Sequence, residues 1–327
     1  MSLSDLQIGG WNVLGGSGLA GTFNAGNIAF VDGDFGSADN PGSDPSQSVA
    51  LTSTAVGKVA KNGIVYVRPR NTVTSAQTYY ADNITIPLTK PGMSILGCGS
   101  NSIRPFLGVA IKASVVTSPV LTVNGSDAHI EGMRLAGTGQ TAGYAIVYAM
   151  NSTISNGAVG LQIVNCRLDN AKTGGAITID SPNHMEVRGC SFDECAIGIH
   201  SILSYGGVAS RGLKIIDCDF GGRVATRTVD VWITQSGTGS GAGVAGYEIR
   251  DCRFLDGLPT LSGATTPLFI TVTSGDTGLI SGCMFACLDS TTFGNGNNAL
   301  FPATWFIVGS FYAAAAATSD QGLIGLT

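Results

Sequence analysis

The sequence predicts an all-β chain coiled as a right-handed parallel β-helix, and three observations predict it. Gly fills 47 of 327 positions while charged residues make up 12%, a balance too apolar for disorder and too Gly-rich for a helical bundle. One short motif occurs seven times at intervals of 24 to 35 residues, the kind of period that marks a solenoid. In each copy a Gly, Asn or Asp separates two short apolar runs, and only these residues enter the left-handed region cheaply.

The elements follow in order. Residues 1–27 form a Gly-rich arm with isolated Trp11, Leu14 and Phe23; such a segment has no core of its own and is expected to lie on a partner. A single β-helix domain is expected over 28–310. In SQSVALTSTAVGKVA (46–60), Val49, Val56, Val59 and Ala60 stand near helical spacing behind Ser46 or Asp44 as N-cap, which predicts a helix plugging the open end. IVYVRPR (64–70) and NITIP (83–87) read as strands, and Pro91-Gly92 as a turn.

The repeats are MSILGCGS, AHIEGMRL, LQIVNCRL, MEVRGCSF, LKIIDCDF, YEIRDCRF and GLISGCMF, anchored at Cys98, Met133, Cys166, Cys190, Cys218, Cys252 and Cys283. Three before the anchor stand Ile95, Ile130, Ile163, Val187, Ile215, Ile249 and Ile280; two after it stand Leu135, Leu168, Phe192, Phe220, Phe254 and Phe285. Both columns face inward on the two-residue strand period. Gly97, Gly132, Asn165, Gly189, Asp217, Asp251 and Gly282 precede the anchors and predict a tight corner. The Cys are expected to stack as free buried thiols. Runs beginning at 145, 176, 197, 229, 267 and 305 supply the next wall, and Gly/Ser/Thr loops such as SGTGSGAGVAG the excursions. Residues 311–327 read as an apolar C-terminal tail suited to burial against a partner.

The opening FVDGDFGSADNPGSDP, the predicted capping helix, IVYVRPR and the Pro-Gly turn into a strand ending in Gly together resemble the start of pectate-lyase-like right-handed β-helix proteins. The resemblance covers residues 28 to about 310 and implies the fold; that fold serves lyases, hydrolases, adhesins and viral spikes alike. The family's catalytic signatures do not carry over. Gly198-Ile199-His200 lacks the Asp residues and Gly-His-Gly element of polygalacturonase-type members, and no Arg base beside calcium-binding carboxylates can be matched.

Other candidates have plainer readings. Glu186, Lys214 and Glu248 form one outward column with Arg188 and Arg250 two residues along, read as a charge ladder. Glu186, Asp193, Glu194, Asp217 and Asp219 could pair as glycosidase carboxylates, yet neighbouring acids are common on a stacked solenoid. Asp32, Asp34 and Asp39 depart from a calcium loop at Gly36 and read as an Asx turn. Gly16, Gly18 and Gly21 match a dinucleotide fingerprint without a preceding strand. Sequons stand at Asn83, Asn124 and Asn151. His129, His184 and His200 are scattered, and no paired Cys-x-x-Cys appears. Thus no catalytic, cofactor-binding or metal-binding residue is assigned, and no cofactor is expected.

The net charge of -5 and the lack of a basic run argue against nucleic acid. With no apolar run of membrane-spanning length and no signal-peptide pattern at the start, neither a membrane span nor export by the usual route is expected. These features suggest a structural virion protein of a tailed bacteriophage: a homotrimeric capsid decoration, head spike or short tailspike, assembled in the host cytoplasm. Its expected partners are itself, capsid or tail proteins through residues 1–27 and the C-terminal tail, and host surface glycans. The alternative is a polysaccharide lyase, glycoside hydrolase or glycan-binding β-helix protein.

Overall fold

A computed structural model describes residues 7–8, 11–12, 27–70, 78–99, 108–149, 158–180, 182–203, 212–221, 229–235, 245–256, 268–272, 277–287, 299–300, 305–308, 310–314 and 323–324. Three sheets of ten, ten and eight strands wind as a right-handed parallel β-helix. From Ile64–Val67 onward each coil runs through them in a fixed order. Sheet 1 holds the repeat strands, from Ile28–Val31 through Met185–Arg188 to Trp305–Val308; sheet 2 holds those just past the anchor, such as Ser191–Asp193; sheet 3 holds the next wall, such as Ile197–Leu203.

Register explains the core. Ile95, Ile130, Ile163, Val187, Ile215, Ile249 and Ile280 sit opposite one another coil by coil, each at most 1% exposed. In sheet 2 the rings of Phe192, Phe220, Phe254 and Phe285 stack with centroids 4.5, 4.8 and 4.8 Å apart and planes within 8°. The spacing equals the separation of hydrogen-bonded strands, so the register itself imposes the stack. Each such pair adds about 0.5–1.5 kcal/mol beyond area burial.

The corner holds at six of seven expected positions, with positive φ at Gly132, Asn165, Gly189, Asp217, Asp251 and Gly282. Gly97 is the exception: it ends the strand Ser94–Gly97, and the following sheet-2 strand starts only at Val109. A long connection replaces the one-residue bend, so Cys98 leaves the column and packs with Phe30 and Tyr66 in a separate cluster. Gly97 has a different reason to be glycine, since a Cβ there would run into the Gly132 carbonyl. The other anchors behave as expected: Cys166, Cys190, Cys218, Cys252 and Cys283 are free and buried. Each thiol lies 3.2–3.5 Å from the carbonyl two residues before it and 3.5–3.8 Å from one in the preceding coil.

A second left-handed column stands at the entrance to sheet 1. Asn62, Gly92, Asp127, Gly160, His184, Gly212 and Gly246 all have positive φ and occupy equivalent positions in successive coils. Where Asx precedes Gly, the two interlock: the Oδ1 atoms of Asn62, Asp127, Asn165 and Asp251 take the space a Cβ would fill on Gly92, Gly160, Gly189 and Gly282.

The N-terminal plug differs from the expected helix over 46–60. A 3-10 turn spans Pro45–Gln47, with Asp44 accepting from the Ser46 N–H at 2.7 Å, and the α-helix α1 is confined to Thr52–Lys58 after Leu51. Val49 is outside it because it bridges to Val31. Lys90 caps α1, donating to the carbonyls of Val56 and Gly57 at 2.5 and 2.9 Å.

The apolar runs from 145 to 267 form sheet 3 as expected. The run at 305 does not: Trp305–Val308 pairs with Thr277–Ser281 and extends sheet 1. Ser310–Ala314 then pairs with Met284–Cys287 in sheet 2, across the expected boundary at 310, and Leu323–Ile324 adds an antiparallel strand. In the arm, Gln7–Ile8 pairs antiparallel with Trp11–Asn12; the rest of 1–26 lies outside the described residues.

Candidate functional site

The outward residues of the three sheets make three different surfaces. On sheet 2, strand pleating turns Arg134, Arg167, Asp219 and Arg253 outward beside Asp169 and Asp193. Arg134 Nε donates to Asp169 at 2.7 Å, Arg167 Nη2 to Asp193 at 2.5 Å, and Arg253 binds Asp219 with both Nε and Nη2 at 2.5 Å. Every one of these pairs joins two different coils. Burial pushes the Asp169 carboxyl above its ordinary value, opposed by the hydrogen bond and charge of Arg134. Asp219 in turn raises the Arg253 guanidinium further. Arg134 and Lys112 also approach the Tyr79 ring, at 5.3 and 5.6 Å from its centroid, a distance suited to cation–π attraction.

On sheet 1 the predicted ladder exists in the expected register, Glu186 opposite Lys214 and Lys214 opposite Glu248. Lys214 Nζ lies 3.6 Å from Glu248, while Arg188 and Arg250 pair within their own strands to Glu186 and Glu248 at 3.2 and 3.4 Å. The column continues upward through Gln162 to His129, whose Nε2 and Nδ1 lie 2.9 Å from Glu131 and 3.1 Å from Gln162. The Glu131 hydrogen bond raises the His129 imidazole, and His129 lowers the Glu131 carboxyl.

Sheet 3 carries the surface that sequence reasoning passed over. Tyr148, Thr178, His200 and Trp232 follow one another outward in register, and the His200 and Trp232 rings stack at 4.5 Å and 9°. Burial holds the His200 imidazole below its ordinary value. The signal was present in VDVWITQS, where the two-residue period places Trp232 opposite in sense to the inward Val231 and Ile233.

The remaining candidates separate. Glu186 belongs to sheet 1, and Asp193 and Asp219 to the Arg ladder of sheet 2. Glu194 and Asp217 are corner residues at φ 53° and 52°, so the five carboxylates do not converge. Asp32 closes the Asx turn, accepting from the Asp34 and Phe35 N–H groups at 2.9 and 3.2 Å and from Arg68 at 2.7 Å, and Asp34 pairs with Arg70. Among the described residues no group of His, Cys, Asp and Glu is arranged to hold a metal, and no helix is long and apolar enough to cross a membrane. The amide of Asn83 tethers the 114–119 turn, donating to Pro119 at 2.6 Å and accepting from Val115 N at 2.7 Å. Asn151, Gly16, Gly18 and Gly21 lie outside the described residues.

No protein-family model matches the chain, and no curated protein sequence matches it. The likeness is to solved structures. The chain is similar to the pectin methylesterase of Aspergillus niger, with TM-score 0.42 and 10% identity over 92% of this chain and 91% of that one. It is also similar to a rhamnogalacturonan lyase, at 0.42 and 14% over 80% and 74%. A third similar chain is ORF18 of Geobacillus virus E2, at 0.40 and 12% over 80% and 57%. Those solved structures are β-helix pectin-degrading enzymes and a phage protein. What is shown here is the parallel β-helix fold.

Proposed function

We propose that the chain is a structural component of a tailed-phage particle, a β-helix that associates as a trimer and attaches through residues 1–27 and the C-terminal tail. The observation that supports it most is the Arg–carboxylate ladder of sheet 2. Two of the candidate acids, Asp193 and Asp219, are instead ion-paired from one coil to the next, which stiffens the rod and occupies those carboxylates. On sheet 1, Lys214 likewise joins Glu248 of the next coil. The Gly-rich arm and apolar tail supply the attachment surfaces. Light scattering of the purified chain is expected to give three times the 33.3 kDa chain mass, and antibodies to it should label phage particles from lysates carrying its gene. A stable monomer together with unlabelled particles overturns the proposal.

A second reading, a glycan-binding surface, is favoured by the stacked His200 and Trp232 on the outer face of sheet 3. Flat aromatic faces suit the apolar side of a sugar ring. Tryptophan fluorescence against a panel of capsular and acidic polysaccharides, with Trp232→Ala as control, tests it. A response lost in the variant supports this reading, and an unresponsive chain across the panel rejects it.

A further inference from the structure

We infer that a trough on the outer face of sheet 1 binds a neutral sugar residue, at a place distinct from the aromatic face of sheet 3 and independent of the virion assignment. The trough encloses about 390 Å3, within the roughly 300–1,000 Å3 range of small-ligand pockets. Its origin is the second left-handed column. Gly212 and Gly246 stand there in two successive coils without side chains, while the coil before them presents His184 at φ 52°. The missing side chains open the floor, and His184 closes one end. Among the described residues of that column, otherwise Gly, Asn and Asp, it is the one histidine, held in a left-handed backbone state that L side chains rarely adopt and that tends to persist where a site needs it.

The wall is the outward column Gln162, Glu186 and Lys214. Glu186 accepts hydrogen bonds, Lys214 donates them, and Gln162 and His184 do both. A sugar hydroxyl is likewise donor and acceptor, so a row of alternating partners fits a row of hydroxyls. The opposed charges of Glu186 and Lys214 give the trough no preference for an anion or a cation. Gln162 is held in place by His129 at 3.1 Å, and Glu186 by Arg188 at 3.2 Å. With no aromatic side chain among the described residues that line the trough, affinity rests on hydrogen bonds and is expected in the millimolar range.

Saturation-transfer NMR on the full chain, with methyl α-glucoside, methyl α-galactoside and methyl α-mannoside, tests the inference. Galacturonate and glucosamine serve as anionic and cationic probes. At least one neutral glycoside is expected to bind more tightly than both charged probes. Glu186→Gln and Lys214→Met, each checked for an unchanged melting curve, should weaken it about tenfold, the loss of one hydrogen bond to a charged group. His184→Gly, which relieves the backbone, should weaken it without destabilising the fold, and Trp232→Ala should leave it unchanged. Silence from all three neutral glycosides, stronger binding of a charged probe, unaltered binding in both wall variants, or loss of binding in Trp232→Ala would each overturn it.

Discussion

The two corners flanking the sheet-1 strands from His129–Glu131 to Ala245–Arg250 share a backbone conformation and differ in almost everything else. The exit corner is followed at once by a buried anchor and, two residues on, by the Leu/Phe column, so the bend, the thiol and the ring stack are locked to one register. The entry corner follows loops of variable length, carries no marker residue, and ranges from the interlocked Asp127–Gly160 pair to the open trough at Gly212 and Gly246. The same bend thus serves packing at one end of a strand and leaves room for surface chemistry at the other.

The largest expected effect comes from breaking what the exit corner aligns. Phe220→Ala removes the ring between Phe192 and Phe254 and should lower stability by about 3–5 kcal/mol, read from urea unfolding. Next, Gly189→Ala forces an L-residue into a left-handed bend with its Cβ 2.5 Å from Asn165 Oδ1, for a loss of about 2–3 kcal/mol. Adding Asn165→Gly should recover the steric part, and equal losses in the single and double variants would refute the interlock. Gly246→Ala meets nothing within 4 Å, so only the backbone term of about 1–2 kcal/mol remains. His184→Gly should leave stability unchanged or raise it by up to about 1 kcal/mol.

The smallest effect depends on pH. His129 is raised from 6.5, so its contribution is fully present below 6.5 and fades as pH climbs through the higher folded value. Glu131 is lowered from 4.5, so its contribution is present above 4.5 and fades as pH falls through the lower folded value. The stability difference between the native chain and His129→Gln should therefore be greatest between pH 4.5 and 6.5 and shrink on either side. A difference that grows from pH 6.5 to 8 contradicts the pairing.

The exit corner was legible in the sequence because Cys and Phe sit at fixed offsets from it; the entry corner was not, because its Asn, Asp, His and Gly residues share only a dihedral angle. Gly97 misled for a related reason, since the motif around Cys98 matches while the connection after it is long. Trp305–Val308 was misplaced because an apolar run carries no mark of which wall it joins. Of the candidate surfaces, the sheet-1 charges could be aligned through the anchors. The Arg134–Asp169 and His200–Trp232 contacts depend on cross-coil register in sheets 2 and 3, and the loops between strands hide that register.

Sulfur anomalous diffraction from crystals of the chain tests the stacked exit corner most directly. The account predicts five peaks from Cys166, Cys190, Cys218, Cys252 and Cys283 in a line parallel to the coil axis, spaced by about 4.8 Å. Peaks scattered over different faces, or merged in pairs at the roughly 2 Å separation of a disulfide, would contradict it.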